Sequence, residues 1–405
     1  MEKIALDDFA VFGGEPLFRT PRSIGQLHTP DFEAFRPKLL EILRGRRLTN
    51  NGPFVQDLER RLAELHQVEH CVAVASAALG LFMLMQILGR NRPGEIVVPA
   101  FTYPGLPHFV QWAGHEPAFC DVDPVTHMLC LDDFERRINA ETRAVLVVTT
   151  SYASVPLERY EAIAAERNTP VFFDSVCGLG KSHGGRPLGG NGVAEVFSLH
   201  ATKLLNGFEG GYVTTNDATL ARKLISARNF LYGPPPPEIG LLWGLNAKLN
   251  EVHAAMALLS LDAMPGLMRE NRVRYEAYAA ALRGIEGLSV APYVETGDDY
   301  NYEMVVLELD RAWPLTRDQT IAVLRAEGAF VNNYYAPALH LSEHCPAGKT
   351  PPHLPIAEAL AERFIRLPAG DGTSTEDIAT LANFLQQVQR RGAEIAARLP
   401  QGDRG

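Results

Sequence analysis

Cysteine is sparse: five residues in 405, with no Cys-x-x-Cys pair among them. Cys71, Cys120, Cys130, Cys177 and Cys345 form an odd, irregularly spaced set. Such a set excludes a disulfide framework or a zinc knuckle legible in the sequence and fits reduced thiols. Long apolar runs are also missing, so no stretch reads as a membrane span. The start, MEKIALDDFAVFGGEPLF, lacks a basic segment followed by an apolar one, and no secretory signal is read there. A cytoplasmic protein is expected. Positive charge is in deficit: Lys plus Arg is 38 against 48 for Asp plus Glu, a net charge of −10. Grip on nucleic-acid phosphates comes largely from Lys and Arg, so this balance argues against a nucleic-acid partner.

What is present is an ordinary globular composition, 46% hydrophobic and 21% charged, with ample core material. Short β-branched and apolar runs recur at 71–75, 95–99, 117–122, 143–150, 170–174, 195–200 and 211–215. Several are apolar without a break, as in strands covered on both faces. Helical patterns at 78–89, 132–138 and 157–167 lie between them. The alternation predicts an α/β domain with a mostly parallel sheet of seven strands. After Pro265 the texture changes. A helix is expected over 267–283, strands at 304–309 and 329–335, and helices at 316–327, 356–365 and 374–391. This predicts a smaller C-terminal α+β domain, with the division at 265/266.

In open α/β sheets ligands gather at the carboxyl ends of strands. There the run PVFFD ends on Asp174, which by itself reads first as a cap for the next element. The next strand ends in Ser198-Leu199-His200 and is followed by Lys203 and a glycine-bearing loop, NGFEGG. Glycines permit close backbone approach, which suits a lysine held in a site. A strand-end carboxylate and a loop lysine suit pyridoxal phosphate (PLP) chemistry. The lysine forms a Schiff base with the aldehyde, and the carboxylate keeps the pyridine nitrogen protonated. A helix N-terminus for the phosphate follows Ser76, at Ala77 and Ala78. Phe101 and Tyr103 offer flat neighbours for the ring after the run EIVVP.

Nearly the whole chain resembles the DegT/DnrJ/StrS family of fold-type-I, PLP-dependent sugar aminotransferases. The segments that carry the likeness include LTNNGPFVQDLERRLAE (48–64), EIVVPAFTY (95–103), FSLHATKLLNGFEGG (197–211) and VNNYYAPALH (331–340). The resemblance implies a large PLP-binding domain over 1–265 and a small domain over 266–405. It implies Lys203 as the Schiff-base and proton-shuttling lysine and Asp174 as partner of the ring nitrogen. Tyr103 would stack on the ring. Ser198 and the backbone of Ala77 and Ala78 would hold the phosphate, and Cys177 would stand near the cofactor hydroxyl. Asn246 would reach the phosphate of a neighbouring subunit, which implies a homodimer with shared active sites. Tyr152, Lys248, Tyr335 and His340 are the candidate substrate residues.

The implied reaction moves an amino group from L-glutamate, through PLP and PMP, to a keto group of a dTDP-linked deoxysugar. Natural-product or surface-glycan biosynthesis is the expected setting. The surrounding shell departs from the family pattern. Ser76-Ala77-Ala78 stands where Asn/Ser-Gly-Thr is usual, Asp174-Ser175-Val176-Cys177 where Asp-Ala-Ala-His/Gln is usual, and Tyr152 where the His of His-x-x-Gly is usual. The alternative is therefore a PLP enzyme of another class, a dehydratase, lyase, epimerase or cyclase on a non-sugar metabolite. Three lesser signals read as structure. Gly180-Lys181-Ser182 lacks the first glycine of a P-loop, since position 175 is Ser175. His340 and His344 lie in a proline-crowded loop, where no zinc site is expected. Asp121 and Asp123 read as a turn.

Overall fold

A computed structural model of the chain describes residues 3, 5–89, 92–153, 156–232, 244–293, 297–343, 345 and 351–399. Helices α1 (Phe32–Gly45) and α2 (Pro53–His66) lead into the alternation. Strands β1 (His70–Val74), β2 (Glu95–Pro99), β3 (Glu116–Cys120), β4 (Thr142–Val148) and β5 (Val171–Asp174) follow. Between them run helices α3 (Ala77–Gly89), α4 (Leu106–Trp112), α5 (Leu131–Arg137) and α6 (Glu158–Glu166). A small hairpin, β6 (Ser182–His183) with β7 (Arg186–Pro187), precedes β8 (Glu195–Ser198), β9 (Gly211–Thr215) and helix α7 (Ala218–Ala227).

The large sheet has the order β1-β9-β8-β5-β4-β2-β3. Only β9 runs against its neighbours, so the carboxyl ends of the other six strands share one edge. Alternation along each strand feeds two cores. Ile96 and Val98 of β2 face one core with α3, and Val97 faces the other with α2. The unbroken apolar runs are explained by this double cover. The seven strands and the mostly parallel sheet agree with expectation.

The division expected at 265/266 falls inside α8 (Glu251–Ala281), one unbroken helix that contains Pro265. Its first half packs in the large-sheet core through Ala254, Leu258 and Leu261. Tyr278, near its end, packs in the core of the small sheet. Burial at both ends offsets the donor that Pro265 removes, a loss of about 3 kcal/mol in an ordinary helix interior. The small sheet is β10 (Leu288–Val290), β11 (Val305–Leu309), β12 (Asn332–Asn333) and β13 (Phe364–Leu367), in the order β10-β11-β13-β12 and all antiparallel. Helices α9 (Arg317–Ala326), α10 (Pro355–Ala361) and α11 (Thr375–Arg398) accompany it. The helix expected over 356–365 ends at Ala361, and 364–367 pairs as β13 instead, because Phe364 and Ile365 fill two different cores.

The N-terminal residues join this small core, not the large one. Phe9 packs on Phe384 of α11, ring centroids 5.3 Å apart. Glu327, after α9, accepts from Ala10 N (2.8 Å), Leu17 N (3.0 Å) and Lys3 Nζ (3.1 Å). Among the described residues no helix is long and apolar enough to cross a membrane. Glu327 and Lys3 are almost fully covered, their side chains 0% and 2% exposed. Glu327→Ala strands the Lys3 ammonium and two backbone donors. Urea unfolding should show a loss of about 3–5 kcal/mol, and a loss below about 1 kcal/mol would rule out this anchoring role.

Candidate functional site

The shared strand edge gathers the chemistry. Asp174 closes β5, is 5% exposed, and its Oδ1 accepts one hydrogen bond, from Val176 N at 3.2 Å. Burial pushes its carboxyl up to about 6; the Val176 bond and the nearby Lys203 pull the other way without prevailing. The strand end is fixed by its neighbour. Ser175 Oγ donates to Glu195 at 2.6 Å, and buried Glu195 also accepts from Gly189 N and Asn191 Nδ2, each at 2.6 Å.

Lys203 follows β8 in a turn that its own N–H closes on His200 O at 2.9 Å. Its Nζ lies 3.1 Å from Cys177 Sγ. Burial pushes the Cys177 thiol up to about 12, so it keeps its proton at neutral pH. For Lys203, burial opposes the charge, but Cys177 and the Glu303 carboxylate outweigh it and hold the ammonium above its usual range. With Cys177 protonated, Glu303 is the anion that matters. Glu303 Oε2 accepts from Leu204 N at 3.2 Å, while its buried Oε1 has no partner among the described residues.

Two further segments clamp the lysine loop. Gln26 N and Leu27 N donate to Thr202 O (3.1 Å) and Ala201 O (3.2 Å), and Gln26 Nε2 donates to Glu303 O (2.9 Å). Asn301 Nδ2 donates to Cys177 O (3.0 Å) and Leu179 O (2.9 Å), which fixes the thiol's backbone. Opposite, α3 begins at Ala77, and its first N–H groups have no acceptor within the helix. A side chain at Gly211 would meet Ala77 N at 2.4 Å, so only glycine lets β9 run beside this helix start. Ala75 N donates to Ala247 O (2.8 Å), which lays Asn246 and Lys248 alongside the end of β1. Lys248 Nζ donates to Asn246 Oδ1 at 2.7 Å and sits over the Phe230 ring.

The other expected residues divide. Tyr335 lines a cleft with Phe101, His127, Cys177 and Tyr334. Its φ of 62° is left-handed, a costly setting for a tyrosine. Tyr103 is 56% exposed and stacks on Phe109 of α4, so of the two aromatics after β2 it is Phe101 that stands in the cleft. Tyr152 is buried, with its hydroxyl on His127 Nδ1. Burial depresses His127 to about 4, so the neutral imidazole accepts from the tyrosine. Tyr152 thus supports the aromatic wall from behind and has no hydroxyl left for a substrate. His340 is not in the cluster. It is fully buried against Phe119, with Nε2 3.1 Å from Glu358, and cannot touch a diffusing ligand. His344 lies outside the described residues, among which no metal-holding group occurs. Lys181 donates to Thr150 O (2.6 Å) and Ala153 O (2.8 Å) and leads into a hairpin, which excludes a P-loop. Asp123 accepts from Val125 N and Thr126 N, as a turn does.

These residues fit pyridoxal phosphate. A buried carboxyl with one hydrogen bond suits a protonated ring nitrogen. A half-buried lysine whose Nζ touches only a weak thiol partner stands where an aldehyde can be anchored. The helix start beside Gly211 suits a phosphate. Glu303 and Arg366 escaped the sequence reading; the one signal was a charged residue at the edge of, or within, an apolar run, in NYEMVV and FIRLP.

The profile of the DegT/DnrJ/EryC1/StrS aminotransferase family matches residues 31–386. A dTDP-4-amino-4,6-dideoxy-D-glucose transaminase from Shigella dysenteriae is 26% identical over 91% of this chain and 99% of that protein. An L-glutamine:2-deoxy-scyllo-inosose aminotransferase from Streptomyces fradiae is 30% identical over 96% of this chain and 99% of its own. Among solved structures, DesI in the presence of its TDP-sugar product superimposes with a TM-score of 0.90 at 35% identity, covering 97% of this chain and 99% of that one.

Asp174 makes a signed prediction for the cofactor-free protein. Its folded value, about 6, lies above the unfolded 3.8, so its stabilising contribution is complete below about pH 4 and lost as pH rises through 6. Asp174→Asn removes that loss. Denaturant unfolding should find the variant ahead of wild type by on the order of 2 kcal/mol at pH 7 and by little at pH 4. An equal difference at both pH values would contradict the buried-carboxyl account.

Proposed function

The chain belongs to the DegT/DnrJ/EryC1/StrS aminotransferase family, whose enzymes are PLP-dependent, and from that premise we propose a specific reaction. It moves the amino group of L-glutamate to the keto group of a dTDP-linked deoxysugar. The observation that carries this reading is a buried Asp174 and a half-buried Lys203 at adjacent strand ends, in a chain that is 35% identical to DesI, solved with a TDP-sugar. The Streptomyces fradiae relative is named for a cyclitol ketone and for glutamine. Both acceptors are polyhydroxylated six-membered rings bearing a ketone, and both donors present the same α-amino acid end.

Bound pyridoxal phosphate supplies an electron sink for the donor's α-carbon and a carrier for the amino group. Lys203 is its covalent anchor and the base that moves the proton at the donor's α-carbon. Asp174 holds the proton at the ring nitrogen. The backbone N–H groups of Ala77 and Ala78, with Ser198 Oγ, receive the phosphate at the positive end of α3. Phe101 stands beside the ring in the cleft, and Tyr335 faces the acceptor. Cys177 keeps its proton beside Lys203 and so leaves the lysine as the site's base. Asn246 is exposed, in a bridge with Asn229 beside the end of β1. It reaches a second copy's phosphate, so the working form is a homodimer with shared sites.

Holoenzyme given L-glutamate should convert its cofactor from the aldehyde to the amine form and release 2-oxoglutarate. A dTDP-keto-sugar should then reverse the spectral change. Lys203→Ala should show neither change and keep wild-type far-UV dichroism. Wild-type enzyme that leaves the cofactor in its aldehyde form with glutamate and with glutamine would sink this reading.

A further inference from the structure

The small sheet points one cation at the site. In β13, Ile365 and Leu367 belong to the small core, whereas Phe364 joins the large one, its ring centroid 4.8 Å from that of His127. Side chains alternate along a strand, so Arg366 shares Phe364's face and looks toward the large sheet. Its register partners agree. Arg366 lies opposite Val306 of β11 and Asn332 of β12. Met304, two residues before Val306, and Tyr335, three after Asn332, line the cleft that holds Cys177. The positive charge of Arg366 acts there on Cys177, Lys203 and Tyr335.

Arg366 is half-buried, yet among the described residues its guanidinium makes no hydrogen bond or ion pair. Other arginines find partners: Arg363 pairs with Glu308 at 3.0 Å, Arg228 with Glu59, and Arg274 with Glu270 at 3.1 Å. Arg366 is absent from the buried groups that lack a partner, so its guanidinium is reached by water and is open to an anionic ligand.

We propose that Arg366 binds the α-carboxylate of the amino donor. The inference rests on the aminotransferase reading above. A planar guanidinium takes a carboxylate through two parallel hydrogen bonds. The donor's α-carbon must lie against Lys203 Nζ for its proton to be moved, and the α-carboxylate is one bond away. A cation on the face of β13 that meets the large core, in register with elements that line the cleft, suits that carboxylate. Arg366 therefore recognises the amino-acid end that glutamate and glutamine share, not their side chains.

The test uses the donor half-reaction of full-length holoenzyme, followed by the cofactor spectrum. Wild type should prefer L-glutamate to 4-aminobutyrate, which lacks the α-carboxylate, by roughly 100-fold in kcat/KM. In Arg366→Gln that ratio should fall below about 10-fold, with Arg366→Lys between. The preference for L-glutamate over L-2-aminobutyrate, which lacks only the side-chain carboxylate, should stay unchanged. An unchanged 4-aminobutyrate ratio, or a loss confined to the 2-aminobutyrate comparison, overturns the assignment. If Arg366→Gln fails to take up cofactor, Arg366→Lys carries the same ratio test. Wild type that transfers amine while its variants keep full discrimination overturns Arg366 alone. Wild type that accepts no α-amino acid overturns the parent reading and this inference with it.

Discussion

A buried carboxyl and a half-buried amine that do not neutralise each other set the terms for everything around them. Asp174 and Lys203 end neighbouring strand units of the large sheet, the first buried and the second partly covered. The carboxyl receives one backbone N–H, and the amine meets a thiol. Groups of this kind are expensive to withdraw from water without full pairing. They persist because the loops that carry them have no freedom to expose them. Glu195 fixes the residue after Asp174, Asn301 fixes the backbone of Cys177, and residues 26–27 lie across the lysine turn. A ligand with a basic nitrogen, an aldehyde and a phosphate satisfies what this framework leaves unsatisfied.

The small domain is therefore part of the chemistry as well as a cover for it. Glu303 precedes β11 and, second to Cys177, acts to keep Lys203 charged. Tyr335 follows β12 and closes the cleft. Arg366 lies within β13, and all three elements belong to one antiparallel sheet. The large sheet presents Asp174 and Lys203 along its edge, and the small sheet brings Glu303 and Tyr335 to the same region. α8 runs through both cores, so the two halves of the site share one rigid strut.

The large sheet was legible because its strands are covered on both faces and read as unbroken apolar runs. Asp174 and Lys203 were legible because a polar residue directly after such a run stands out. Where several physical roles share one residue type, the pattern was silent. Tyr152 looked like a substrate residue, but its hydroxyl is spent on His127, a pairing between residues 25 apart that no local pattern announces. Pro265 reads as a stop, yet burial at both ends carries α8 through it. Phe364 and Ile365 fit a helical period until the sheet register sends them to different cores. Glu303 and Arg366 are single charges in apolar surroundings, and only the fold brings them to Lys203.

The contact between Phe9 and Phe384 has a temporal consequence. Phe9 finds its partner in α11, at the far end of the described chain. Until α11 has emerged, Phe9 lacks the ring it packs on. Contacts this distant in sequence close late and slow the final step of folding. The large sheet can therefore form during synthesis before the small core closes around Phe9.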